Sequence, residues 1–346
     1  MRTVLRLAGW AVAIVVALGV IGFFTLSRAD IPYATLETRY ANASDRYLDL
    51  PSGVHLHYRD QGNPSGEAIV LVHGFGASLF DWEDWAKRLG GKYRVISLDL
   101  PGHGLTAAPK HYLAHMDDLT GAVDALTTHL GVGHFILVGN SMGGGVAWNY
   151  ALQHPDRLDG LVLEDSVPAP NPAATQARGK SNVIIFNLMQ APLLRGVLLH
   201  IDLTPLVRQG LDSAMVDKAL VTPALVRRYS DFSRAPGHRL ILLNLQGGAH
   251  PDPVAVNAAL GRLKVPTLIM HGKVDKLIAV AEGMRTARTI PGSTLILYDG
   301  VGHVPMEQIP DKSAADLDQW IKTKSLAAKA GTWVKVVQKV RAEGVQ

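Results

Sequence analysis

The pentapeptide Gly139-Asn140-Ser141-Met142-Gly143 follows a short apolar run and precedes a stretch with helical spacing. A serine on so sharp a strand-to-helix turn takes a strained backbone conformation and presents its hydroxyl at the edge of a sheet. Glycines flanking the turn let strand and helix cross closely. A serine hydroxyl is a weak nucleophile at neutral pH, so it needs a base, and the base needs a carboxylate to orient it. Among the 14 histidines, His303 stands on the segment Gly300-Val301-Gly302 just after the last apolar run, where a loop can carry it over Ser141. Asp275 follows the run that ends at Met270 through His271-Gly272-Lys273-Val274. The order Ser141, Asp275, His303 is the one that a G-x-S-x-G elbow uses in its best-known setting. Asp165, at the end of the preceding apolar run, is the rival acid.

Attack of serine on a carbonyl creates an oxyanion, and backbone N–H groups stabilise it best because they are already fixed in place. Met142 supplies one. The other is expected from Phe75 in His73-Gly74-Phe75-Gly76, on the loop after the run at residues 68–72. His55 and His57 share a strand face, but without a third ligand or an H-E-x-x-H motif they read as surface histidines rather than a metal pair. His103, His111 and His271 fall in turns or at strand ends and read as structural. This chemistry requires no metal or organic cofactor, and the sequence holds no P-loop or dinucleotide fingerprint. The substrate-binding residues stay unassigned.

These groups need a scaffold. Short alternating runs at residues 47–50 and 54–58 joined through Pro51-Ser52-Gly53 predict a hairpin. Apolar runs at residues 68–72, 94–98, 135–138 and 158–163 alternate with helical spacing through Trp82, Trp85 and Leu89, over residues 119–130, and from the elbow to about His154. That rhythm predicts a mostly parallel sheet covered by helices on both faces. It breaks after Asp165, where residues 167–262 are Pro-punctuated and helix-like, and it resumes with runs at 265–270 and 294–298. The expected organisation is an N-terminal transmembrane signal anchor (1–29), a linker (30–46), an α/β core in two parts (47–166 and 263–324), a helical cap (167–262) and a basic amphipathic C-terminal extension (325–346).

Residues 7–26 carry no charge and, as a helix, would be about 30 Å long, matching a hydrocarbon core. Arg2 and Arg6 precede the run, while Arg28 is offset by Asp30 beyond it, so the positive-inside rule leaves the N-terminus in the cytoplasm and the rest on the periplasmic or equivalent side. A cleaved signal peptide, with Ser27-Arg28-Ala29 as the small-x-small pattern and secretion as the result, is the alternative; the length of the run favours an anchor. A buried soluble helix is the third option.

The chain has 346 residues and no cysteine, which excludes a disulfide framework, a thiolate nucleophile and Cys-ligated metal centres. A net charge of +4 is too small to imply nucleic acid. Basic side chains concentrate in residues 171–262 and 322–346 and leave the remainder acidic, a distribution that could face an anionic surface. Trp333, Val336, Val337 and Val340, with Lys335, Lys339 and Arg341 between them, have the spacing of an interfacial helix. The pattern sets no oligomeric state.

Taken in order, HGFG, DLPGHG, GNSMGG, HGKVD and GVGHVPMEQ make residues 47–322 resemble a serine hydrolase of the α/β-hydrolase superfamily. The resemblance implies the α/β-hydrolase fold, a mostly parallel central sheet flanked by helices, with residues 167–262 as a helical cap over the pocket and residues 99–104 as a structural turn. Serine at the elbow sets the chain apart from the aspartate-nucleophile branches, the epoxide hydrolases and haloalkane dehalogenases. GNSMGG also resembles the hydrolases that cleave carbon–carbon bonds of ring-fission diketones. Those typically carry a longer Gly-Pro-Gly oxyanion loop and a tryptophan after the histidine, whereas here the loop is HGFGAS and Val304 follows His303. The pattern is closer to carboxylesterases and monoacylglycerol-type lipases, some of which have an N-terminal anchor. It implies a small ester or lipid as substrate. Within the expected cap, Ile184, Ile185, Phe186, Leu188, Met189 and Leu193 form an apolar stripe that lines the pocket or packs the cap's own core.

Overall fold

The computed structural model describes residues 2–171, 184–189, 191–245 and 252–329. Eight strands form one sheet: β1 (Asp45–Asp49), β2 (His55–Gly62), β3 (Ala68–Val72), β4 (Arg94–Leu98), β5 (Phe135–Asn140), β6 (Leu158–Glu164), β7 (Thr267–Gly272) and β8 (Thr294–Tyr298). Their order is β1-β2-β4-β3-β5-β6-β7-β8. The β1–β2 hairpin and the β2–β4 pair are antiparallel, and every other neighbour is parallel. All residues of β3, β5 and β7 are buried, so only helices on both faces can complete the packing.

Helix α1 (Arg2–Leu26) precedes the sheet, and α2 (Tyr33–Tyr40) lies in residues 30–46, where the sequence suggested a linker without a sustained period. The helix is short, yet Leu36 is fully buried in a cluster with Ile31, Leu79, Phe80, Leu105, Phe232 and Ala235. Tertiary packing there stabilises a segment too short to be helical alone. Helices α3 (Glu83–Leu89), α4 (Met116–His129), α5 (Met142–Gln153), α12 (Val280–Thr289), α13 (Pro305–Gln308) and α14 (Pro310–Lys329) belong with the sheet. Between β6 and β7 come α6 (Ile184–Met189), α7 (Pro192–Leu198), α8 (Thr204–Ala214), α9 (Pro223–Ser233), α10 (His238–Leu245) and α11 (Pro253–Leu260), with no strand among the described residues of that insertion. The amphipathic tail expected around Trp333 lies outside the described residues.

The end of α1 is joined to the insertion and not to the sheet. Ser27 bridges Ile201, Arg28 N donates to His200 O at 2.7 Å, and Asp202 N donates to Leu26 O at 2.7 Å. The Arg239 guanidinium on α10 donates to Arg28 O and to Asp30, and Arg234 donates to Ala29 O. Trp10 and Phe24 of α1 are 70% and 72% exposed. Among residues whose side chains are described, no helix is long and apolar enough to cross a membrane, and most side chains of α1 before Gly19 fall outside that description.

Candidate active site

The elbow between β5 and α5 sets the conformation of Ser141, whose φ of 54° lies in the left-handed region that a side chain rarely adopts. Three backbone bonds hold it there: Ser141 N donates to Glu164 O at 3.0 Å, and Ser141 O accepts from Gly145 N and Val167 N. A Cβ on Gly139 would collide with the Gly143 carbonyl, and one on Gly143 with the Val72 and His73 carbonyls. Those glycines therefore fix how closely β5, α5 and the loop after β3 approach.

His303 follows β8 on the loop before α13, and its Nδ1 stands 2.7 Å from Asp275 Oδ2. The remaining Asp275 oxygen accepts the amides of Leu277 and Ile278 at 2.7 and 3.1 Å. Burial by itself would raise the Asp275 carboxyl, but the His303 hydrogen bond and charge and the two amides outweigh it and hold the group below its usual range. The carboxylate is thus ionised and turns the ring so that Nε2 is the nitrogen left for proton transfer. The His303 main chain is held on both sides. Its N–H donates to Ala214 O of α8 at 2.8 Å, and its carbonyl accepts Asn140 Nδ2 at 3.1 Å. Asn140 thereby brings the base's loop onto the nucleophile's strand, although Ser141 Oγ makes no hydrogen bond among the described residues. Such contacts often tighten only when substrate is bound.

The loop after β3 passes beside the elbow. A Cβ on Gly74 would lie 3.1 Å from Ser141 Cβ. His73 accepts the Leu100 amide on Nε2 at 3.0 Å, which leaves Nδ1 to donate to Gly74 O at 2.7 Å. Burial keeps His73 neutral by lowering its pKa, in agreement with that tautomer. Because C=O and N–H point in opposite directions across a trans peptide, fixing the Gly74 carbonyl also fixes the direction of the Phe75 N–H. Met142 lies at the start of α5, where the first backbone N–H groups have no partner within the helix. The Phe75 ring packs against an apolar cluster of the insertion, Met189, Leu198 and Leu243, together with Ile185 and Leu188.

The rival acid Asp165 is close to this constellation. Donor-capable atoms of Asp165, Asp275 and His303 all lie within 4.8 Å of one another. Within this group, His303 Nδ1 is already engaged by Asp275. Glu164 next door is fully buried, and burial pushes its carboxyl up to about 8, the Met306 amide only partly opposing.

His57 is not at the surface. Its side chain is fully buried, with Nδ1 2.6 Å from Asp99 Oδ2 and Nε2 3.1 Å from Asp45 Oδ1, while His55 on the same face is exposed beside Asp49, as expected. The hairpin partner β1 folds Asp45 and Tyr47 over His57, a tertiary cover that spacing along β2 does not reveal. Burial opposes a charge on His57, but Asp99 and Asp45 win and raise its pKa to about 9. Asp99 also accepts the amides of Leu79 and Leu105 at 2.7 and 2.8 Å, so this buried ion cluster ties the loop after β3 to the 99–104 turn. No spacing rule finds Asn140, Asp99 or the clamp by Ala214; their signals were only a variable position inside a motif, an aspartate inside DLPGHG and a helix end.

The insertion is locked to the core close by. Tyr229 Oη on α9 donates to Asp81 Oδ2 at 2.8 Å, and Arg228 approaches Asp81 Oδ1 at 3.9 Å. Burial pushes the Asp81 carboxyl up to about 6, with Arg228 opposing.

The alpha/beta hydrolase fold family matches residues 67–309, most of the sheet and the whole insertion, and the chain belongs to that family. The chain is 28% identical over 265 residues, 73% of its own length and 86% of the relative's, to a 2-hydroxy-6-oxononadienedioate/2-hydroxy-6-oxononatrienedioate hydrolase of Comamonas testosteroni. Among solved structures it superposes with a bacterial membrane phospholipase A at a TM-score of 0.69 and 24% identity, over 94% of this chain and 99% of that one, a likeness of fold. An esterase from Rhodococcus sp. matches at a TM-score of 0.63 and 25% identity, covering 81% and 98%.

Proposed function

We propose that the protein is a serine hydrolase that cleaves carboxylic esters through an acyl-enzyme. The observation that carries this reading is the His303–Asp275 hydrogen bond at 2.7 Å, on a loop that Asn140 ties to the strained serine. In this reading His303 Nε2 takes the Ser141 proton, Asp275 steadies the imidazolium, and the Phe75 and Met142 amides receive the oxyanion. His303 then protonates the leaving alcohol, and water repeats the attack to release the acid. The apolar cluster that joins Phe75 to Ile185, Leu188 and Met189 supports an acyl or alkyl group beneath the cap.

Carbon–carbon hydrolysis of a ring-fission diketone is the second reading, favoured by what the Comamonas testosteroni relative hydrolyses. It uses the same residues, but the bond that breaks is carbon–carbon: the electron pair leaves on a carbon stabilised as an enolate by the substrate's keto group, and His303 returns the Ser141 proton to it. Against it stands Val304, buried in the core at the position after the histidine where those enzymes carry tryptophan. A panel of p-nitrophenyl esters, monoacylglycerols and a ring-fission diketone, run on the wild type and on Ser141→Ala, decides between them. Ester turnover that Ser141→Ala abolishes is the expected result; turnover of the diketone alone refutes ester hydrolysis. Product analysis with added alcohol separates hydrolysis from acyl transfer, and a fluorophosphonate label on Ser141 separates an enzyme from a tethered binding protein.

Residues 7–26 are proposed as an uncleaved anchor that holds the catalytic part on the periplasmic or equivalent side of a membrane. The exposure of Trp10, Ile14, Ile21 and Phe24 along α1 supports it, because a helix made for a soluble core would bury such side chains. A mature chain that begins at Asp30 by mass spectrometry is the result that removes the anchor and leaves a secreted protein.

A further inference from the structure

We propose that Asp165 is a neutral carboxylic acid that donates its proton in a hydrogen bond to the Asp275 carboxylate, a positioning residue that holds Asp275 against His303. The inference rests on the serine-hydrolase reading and extends the proposed apparatus to a fourth side chain.

The geometry sets the protonation state. Asp165 is fully buried at the end of β6, and its φ of 41° is a conformation that only a specific constraint maintains in a residue with a side chain. Its N–H donates to Met270 O at 2.9 Å and its Oδ1 accepts Gly272 N at 2.9 Å, so both ends are pinned to β7. Its Oδ2 is buried with no hydrogen-bond partner among the described residues. Carboxylate oxygens of Asp165 and Asp275 lie within 4.8 Å of each other, so an ionised Asp165 would place an unpaired buried charge beside a second carboxylate, which strongly favours one of the two being protonated. One proton between the two resolves both problems, since it satisfies Asp165 Oδ2 and gives Asp275 another donor.

The proton belongs on Asp165 rather than on Asp275. Asp275 is supplied with the His303 N–H and two amides, all of which favour its charged form, whereas Asp165 receives a single amide. Burial raises the Asp165 carboxyl well above its usual range, and the negative charge of Asp275 raises it further. The other groups that face this corner do not supply a competing cation. His271 Nε2 lies 3.5 Å from Asp165 Oδ1, but it also stands 3.0 Å from Ile278 O, and burial lowers its pKa. Glu164 on β6 is itself held largely neutral, and Tyr298 on β8, whose pKa burial raises, donates to Asp316. His303 faces Asp275 and completes the set.

The consequence is mechanical. An Asp275 held only by His303 and the 277–278 amides can pivot when the imidazolium forms. With a donor from β6 as well, it is fixed from a second strand.

The test compares Asp165→Ala with Asp165→Asn in the full chain, using p-nitrophenyl butyrate as substrate. Asparagine keeps an acceptor for Gly272 N and offers an N–H where the acid offers O–H, but it cannot ionise. The expected result is a fall of about a hundredfold in kcat for Asp165→Ala with KM within about twofold, and recovery of at least tenfold of that loss in Asp165→Asn. The acidic limb of the kcat/KM profile moves by half a pH unit or more in Asp165→Ala and stays in place in Asp165→Asn. A variant Asp165→Asn no better than Asp165→Ala, or Asp165→Ala as active as the wild type, overturns the proposal. If Asp165→Ala does not fold, as judged by urea denaturation, a loss of more than about a hundredfold in Asp165→Asn alone overturns it. Ser141→Ala, assayed in parallel, separates this inference from the reading beneath it: activity that survives Ser141→Ala refutes the serine-hydrolase reading, whereas activity lost in Ser141→Ala leaves that reading intact whatever Asp165 does.

Discussion

The side-chain amide of Asn140 donates to the main-chain carbonyl of His303 at 3.1 Å and to that of Glu164 at 3.3 Å, so the residue before the nucleophile links β5, β6 and the loop of the base. Asn140→Ala leaves those carbonyls short of a donor in a site where Asn140 is only 2% exposed. The expected outcome is a fall of about tenfold in kcat with little change in KM, because a loosened base loop costs about 1 kcal/mol or more in the reacting geometry. Steady-state kinetics beside a urea melt check it; a loss of stability with unchanged kcat contradicts the positioning role.

Asp275→Asn keeps the shape of the carboxylate but removes its charge and permits the wrong imidazole tautomer. A loss of about a thousandfold or more in kcat is expected, with KM nearly unchanged. Fluorophosphonate labelling of Ser141 should slow in step, which a stopped-time gel assay measures.

The His57 cluster gives stability a pH dependence with a definite sign. His57 rises from 6.5 to about 9 in the folded protein. A raised histidine contributes fully below its unfolded pKa, and the contribution is lost as pH climbs through the folded one. The wild type should therefore lose up to on the order of 3 kcal/mol of unfolding free energy between about pH 6.5 and 9.5. His57→Gln should be less stable at pH 6.5 and lack that slope, which urea denaturation at three pH values would show. Parallel slopes would mean that His57 is neutral in the folded protein.

Tyr229→Phe removes the hydroxyl that donates to Asp81 and leaves a buried carboxyl without that donor. A cost of about 1–3 kcal/mol in unfolding free energy is expected, read from the urea midpoint. Faster limited proteolysis within the insertion, with the sheet left intact, would show that the insertion loosens first.

Much of this was legible before any coordinates. The runs at residues 68–72, 94–98 and 294–298 became β3, β4 and β8 without a shift: β3 and all of β4 after Arg94 are buried and leave a continuous apolar signature, and half-buried β8 still carries the apolar run Leu295-Ile296-Leu297. The strand expected at 265–270 instead starts and ends two residues later, at Thr267 and Gly272, since pairing with β6 and β8 and not apolarity sets its limits. Ser141, His303 and Asp275 could be proposed from type and order alone. His57 read as a surface histidine and Asp165 only as a rival acid, because what surrounds them is the cover supplied by β1 in one case and a carboxylate more than a hundred residues away in the other. Helix α2 was missed for a similar reason: its one deeply buried side chain, Leu36, leaves no periodic trace.

The seam between the end of α1 and the insertion makes residues 26–30 part of the insertion's scaffolding. Trimming the chain to begin at Asp30, a common step toward a soluble preparation, would strip the carbonyls that cap Arg234 and Arg239 and would free the backbone at His200 and Asp202. Arg239 is only 7% exposed, so its guanidinium would be left with Asp30 and Ile201 alone to satisfy it. Substrate preferences measured on such a shortened form would describe a loosened insertion, and the intact polypeptide is the better reference for selectivity.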